Sequence, residues 1–199
     1  MKRIGLPVLL MLLVACGDSG SEEIVEVREQ TDDEKQFMPL ILDGYAFFAG
    51  EDLREDITGM EVSYEVYIEG EQVDESNVST GIRENPFELE DLMIGYNTTT
   101  VGDEQEVELM IRWLENGHYG VTSVNSTMEQ PLDSVQGLST VYAPEIKQTG
   151  EKSPLFARFD SSQVVEAWYE EDHIQSLIQQ NDYVFIVYAT LKQTDINER

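Results

Sequence analysis

Between Met60 and Glu69 the chain alternates without a break. Met60, Val62, Tyr64, Val66 and Ile68 fall on one side, and Glu61, Ser63, Glu65, Tyr67 and Glu69 on the other. Period two is the signature of a strand, whose successive side chains point to opposite faces. The pattern returns at 105–114, where Val107, Leu109, Ile111 and Trp113 share a face against Glu106, Glu108 and Arg112. Asn116-Gly117 follows, and this pair tolerates the positive φ of a tight hairpin turn, so 118–128 should run back antiparallel. Strands with one apolar and one acidic face must bury the apolar one against another layer. That requirement points to sheets packed face to face.

The remaining segments fit this architecture. Residues 37–48 open the folded domain, with Pro39 suited to a strand start or edge and Asp43-Gly44 to a turn or bulge. The polar stretch 51–59 interrupts the pattern. Gly70-Glu71 turns the chain into a weaker partner strand that reaches Ile82 and stops at Arg83-Glu84-Asn85-Pro86. Residues 87–94 suit either a strand or a short helical turn, and 95–101 read as extended. An irregular connection at 130–152 holds a short strand at 138–142, and 154–160 read as another strand. Residues 172–180 predict a helix: Asp172 is placed to cap it, and Ile174, Leu177 and Ile178 share one face. Residues 183–191 are apolar on both faces, as in a central strand covered from both sides. About eight short strands with turn signals between them predict a mostly β fold. The expectation is a single antiparallel β-sandwich, immunoglobulin-like or related, over 37–193, with one short late helix and a frayed tail at 194–199.

Charge narrows the partners. Forty acidic residues against twelve basic ones give a net charge of −28. Such a surface repels nucleic acid and anionic lipid headgroups, which excludes a nucleic-acid role. The acids run through the whole chain. They suit a salt-adapted or alkali-adapted extracellular surface, or alternatively a face for a cation or cationic partner. Cys16 is the single cysteine, so no intramolecular disulfide can form.

The first sixteen residues give an address. Lys2 and Arg3 precede an apolar run from Ile4 to Leu12 that is too short for a stable membrane-spanning helix, and Leu13-Val14-Ala15-Cys16 closes it. This ending resembles the lipobox of bacterial lipoproteins. The resemblance implies cleavage between Ala15 and Cys16, removal of 1–15, and a diacylglycerol on the Cys16 sulfur. It also implies an anchor at the outer face of the cell membrane. Loss of Lys2 and Arg3 would take the formal charge from −28 to −30. Residues 16–36, rich in Gly, Ser, Asp and Glu, then read as a disordered acidic tether. The whole chain is similar in outline to β-sandwich lipoproteins of Gram-positive bacteria.

Catalytic patterns are weak. Gly17-Asp18-Ser19-Gly20 matches the surroundings of a chymotrypsin-like nucleophile but falls beside the anchor, and only His118 and His173 could supply a base. Those two histidines are too far apart in sequence to suggest a zinc motif. Gly150-Glu151-Lys152-Ser153 lacks the earlier glycine of a phosphate loop. Glu51-Asp52-Glu55-Asp56 and Glu88-Glu90-Asp91 are dense in oxygen ligands but lack the spacing of a calcium loop. Tyr67, on the mostly acidic face of its strand, is expected to be exposed and to mark a partner surface. The reading is therefore a non-catalytic envelope module that needs no cofactor and binds an envelope protein or wall component. The alternative is a small-ligand or cation-capturing accessory protein for a transporter or sensor.

Overall fold

The structure, a computed structural model, describes residues 24–51, 53, 56–79, 89–101, 104–115, 117–128, 139–143, 145–146, 150–160 and 167–193. These residues form two antiparallel sheets packed as a sandwich, in agreement with the sequence. The strands are β1 (Ile24–Val27), β2 (Gly44–Glu51), β3 (Ile57–Ile68), β4 (Glu71–Ser79), β5 (Leu89–Val101), β6 (Glu104–Glu115), β7 (His118–Met128), β8 (Ser139–Tyr142), β9 (Glu145–Ile146), β10 (Ser153–Phe159) and β11 (Tyr183–Gln193). One sheet runs β7-β6-β5-β2-β1-β9 and the other β4-β3-β11-β10-β8.

The alternating faces meet between the sheets. Met60, Val62, Tyr64 and Val66 of β3 join Val107, Leu109 and Ile111 of β6, Leu92 and Ile94 of β5, and Phe185, Val187 and Leu191 of β11 in one buried cluster. Phe185 stacks against Tyr64, with ring centroids 5.5 Å apart. The β3–β4 and β6–β7 turns use backbone that few residues adopt: Glu69 and Gly70 have φ of 50° and 81°, and Gly117 has 72°.

A third layer covers the outer face of the five-stranded sheet. Helix α2 (Glu171–Gln180) lays Ile174, Leu177 and Ile178 on Ala157, Phe159, Val184 and Ile186, with Trp168 beside them. Burying each such aliphatic side chain contributes about 1.5–3 kcal/mol. This layer explains why β11 is apolar on both faces. Glu170, not Asp172, occupies the helix N-cap, and it makes no side-chain capping bond. Asp172 lies inside the first turn instead.

The start of the domain differs from the sequence expectation. Residues 24–36, read as tether, are built into the fold. β1 pairs with β2 from Ile24↔Glu51 to Val27↔Phe48 and with β9 on its other side. A second helix, α1 (Asp32–Phe37), is held by a capping box in which Thr31 and Glu34 satisfy each other's backbone. Arg28 locks this segment down. Its guanidinium donates to both Glu34 carboxylate oxygens and to Asp91, and it stacks 4.5 Å over the Phe47 ring. The Glu34 pKa falls to about 2, first because of the Arg28 hydrogen bond. The polar residues around Ile24–Val27 concealed this short strand, whose order comes from backbone ladders and from Val25, its one side chain shown fully buried.

Two neighbouring segments also resolve differently from the first reading. Pro39 belongs to a 3-10 turn at Met38–Leu40, not to a strand, and β2 begins only at Gly44. Residues 89–101 make one continuous strand, which settles the 87–94 ambiguity from Leu89 onward. The expected signal peptide, Ala15, Cys16 and the tail at 194–199 lie outside the described residues.

Candidate functional site

The site grows from Glu65, a carboxylate on the face of β3 that the sequence assigns to solvent. In the register of the sheet Glu65 lies opposite Ile186 of β11, and Tyr67 lies opposite Val184. Both neighbours belong to the apolar layer beneath α2, so Glu65 is only 9% exposed. Burial opposes its charge, and hydrogen bonds offset that cost. The Lys152 ammonium donates to Glu65 Oε1 at 2.6 Å, and the Tyr67 hydroxyl donates to Oε2 at 2.7 Å. Burial alone would raise the Glu65 pKa. The Lys152 bond and then the Tyr67 bond outweigh it, and the net direction is down.

Tyr67 is therefore half-buried and engaged rather than fully exposed as the sequence suggested. It packs against the outer apolar cluster. Burial, followed by its bond to Glu65, pushes its hydroxyl pKa well above the usual tyrosine range. Lys152 also sits 5.6 Å above the Tyr188 ring, a cation–π contact that fixes the ammonium from below.

Lys152, the partly exposed member of this pair, lines a groove of about 750 Å³ between β10, β11 and the start of α2. Tyr169 and Tyr188 give it aromatic surface, and Glu145, Glu151, Glu170 and Glu171 border it. Lys152 is the one cation among the described lining residues, and Glu65 already neutralises it. Tyr169 is held edge-on by buried Trp168, with ring centroids 6.4 Å apart. The corner leading into α2 is fixed by His173, whose Nδ1 lies 2.9 Å from the Ala167 carbonyl oxygen. Ala167 itself has a φ of 56°. A non-glycine residue held there is strained backbone that the surrounding packing maintains.

Chemically the groove offers aromatic faces and surplus negative charge. Cations and amine-bearing groups suit both features. Among the described residues no group of three or more His, Cys, Asp or Glu side chains stands close enough to hold a metal ion. The suggested calcium clusters fall partly outside the described residues. Of their described members, Asp91 is engaged by Arg28 and Arg112, and Glu90 accepts the Gly117 backbone N–H. His118 is exposed at its turn.

The sequence contained a clue to this site. β11 is apolar on both faces, so something must cover its outer side, and outward residues of the adjacent strand β3 come under the same cover. Among the described residues no helix is long and apolar enough to cross a membrane. Comparisons with family models, curated proteins and solved structures found nothing that matches this chain.

Proposed function

We propose that the chain is a lipid-tethered, non-catalytic binding module of the cell envelope. Cys16 anchors it at the outer face of the membrane, and the groove beside α2 takes a cationic segment of an envelope protein. The observation that carries this reading is the groove's composition among the described residues: four carboxylates around two tyrosine rings, with Lys152 committed to Glu65. An arriving lysine or arginine meets the negative charge of these carboxylates at the rim and an aromatic face inside. The lipobox-like ending Leu13-Val14-Ala15-Cys16 supports the anchor. A diacylated cysteine supplies the two chains that stable attachment requires.

The size of the groove also favours a second reading, capture of a small amine-bearing ligand, because pockets for such molecules span roughly 300–1,000 Å³. One experiment separates the two. A photo-crosslinking residue replaces Gln175 in the full-length protein on native membranes. A protein adduct that disappears in Glu170→Lys/Glu171→Lys supports the first reading. Absence of a protein adduct, with small amines raising the melting temperature, supports the second. A Cys16→Ala form that still fractionates with membranes would remove the anchor from either reading.

A further inference from the structure

Four strand edges bound the two sheets, and three carry the usual protection against pairing with another chain. β8 and β9 are short, with four and two residues. β4 carries Glu71, Asp74 and Glu75 along its nine residues. Short length and charge both blunt an edge. β7 has neither. It is eleven residues long and contains no Asp, Glu, Lys or Arg. In a chain with 40 acidic residues this is, among the described strands, the one long edge without charged residues. It also presents Tyr119 and Val121, 72% and 64% exposed, opposite Leu114 and Arg112 of β6.

The register decides which groups of β7 face outward. The two-residue turn makes Glu115↔His118 the closing pair, and hydrogen-bonded pairs then alternate. Gly120, Thr122 and Val124 spend their main-chain groups on β6. Tyr119, Val121, Ser123, Asn125 and Thr127 direct theirs away from the sheet.

We infer that β7 is a strand-addition site for an extended, uncharged segment with basic flanks from another protein. Main-chain bonds to the outward groups give affinity, and Tyr119 and Val121 provide the side-chain contact. Charge selects the occupant. A second copy would bring another −28 to the same edge, whereas basic flanks are attracted by the field around it. The inference is independent of the groove, whose described lining contains no residue of β7.

The test uses the full-length chain in detergent and fluorescent peptides of about nine residues, alternating Thr and Val. One peptide carries Lys at both ends and one Glu at both ends. A third is Lys-ended and N-methylated along one edge. The Lys-ended peptide should bind. N-methylation or Ser123→Pro, which removes an outward N–H and no bond to β6, should weaken binding by roughly tenfold or more. Glu-ended peptide should bind less well, and Glu170→Lys/Glu171→Lys should leave Lys-ended binding in place. Equal binding of the N-methylated peptide overturns the inference without relying on any protein variant. So does loss of binding in the groove variant, or no binding up to roughly 1 mM. Self-association abolished by Ser123→Pro would also overturn it, by assigning the edge to a second copy.

Discussion

Removing Lys152 should expose the cost of holding Glu65 under α2. In Lys152→Met the hydrophobic stem is kept and the ammonium lost. Glu65 then retains the Tyr67 hydroxyl but no cation, at 9% exposure. Breaking a fully buried ion pair costs about 3–5 kcal/mol. Lys152 is 46% exposed, so solvent already screens part of the attraction. The expected loss at pH 7 is therefore about 1–2 kcal/mol, or a melting temperature lower by roughly 2–8 °C. The pH dependence carries the sign. In the native protein the Glu65 pKa is lowered, so its contribution is present above the ordinary carboxylate value and is lost as pH falls through the lowered one. In the variant burial dominates and the pKa rises, so stability falls as pH increases through the raised value. The gap between the two proteins should widen from pH 5 to pH 7. Urea unfolding followed by tryptophan fluorescence measures it, at pH values kept above the sequence pI of 4.1. A gap below about 0.3 kcal/mol at pH 7, or one that does not change with pH, would refute the reasoning.

Four further outcomes follow from other parts of the chain. Gly120→Ala should destabilise by about 1–3 kcal/mol and shift tryptophan emission, because the new Cβ would stand 2.1 Å from the Trp113 ring. Arg28→Ala should cost about 1.5–3 kcal/mol and raise hydrogen exchange across residues 24–37, since one guanidinium ties Glu34 and Asp91 together. The stability Glu34 contributes should be lost as pH falls from its ordinary 4.5 toward about 2. The melting temperature should rise between about 10 mM and 1 M NaCl, because screening relieves the repulsion of a −28 chain; a flat response would refute that origin of the acidity.

The sandwich was legible because half-buried strands alternate. β3, β6 and the β6–β7 turn could be read directly, and the Ile174, Leu177, Ile178 spacing located α2. β1 was hidden because its apolar Ile24, Val25 and Val27 form only a four-residue strand within a mostly polar stretch, and α1 because it buries no side chain. Arg28 holds that segment through partners at Glu34 and Asp91, and the latter lies 63 residues away. The candidate site was hidden for a related reason. Glu65 and Lys152 are 87 residues apart, and only the β3–β11–β10 order brings them together. Alternation showed that Glu65 and Tyr67 share a face, but not that a helix covers it. The both-sided apolarity of β11 held that information, one strand away from where it was needed.

The most direct test of the groove is a calorimetric titration of a lysine-rich peptide into the full-length protein and into Glu170→Lys/Glu171→Lys. Saturable binding that weakens with salt and drops at least tenfold in the charge-reversed form is the predicted result. Binding of equal strength by both proteins, or no heat with the native one, would contradict a groove built for a cationic segment.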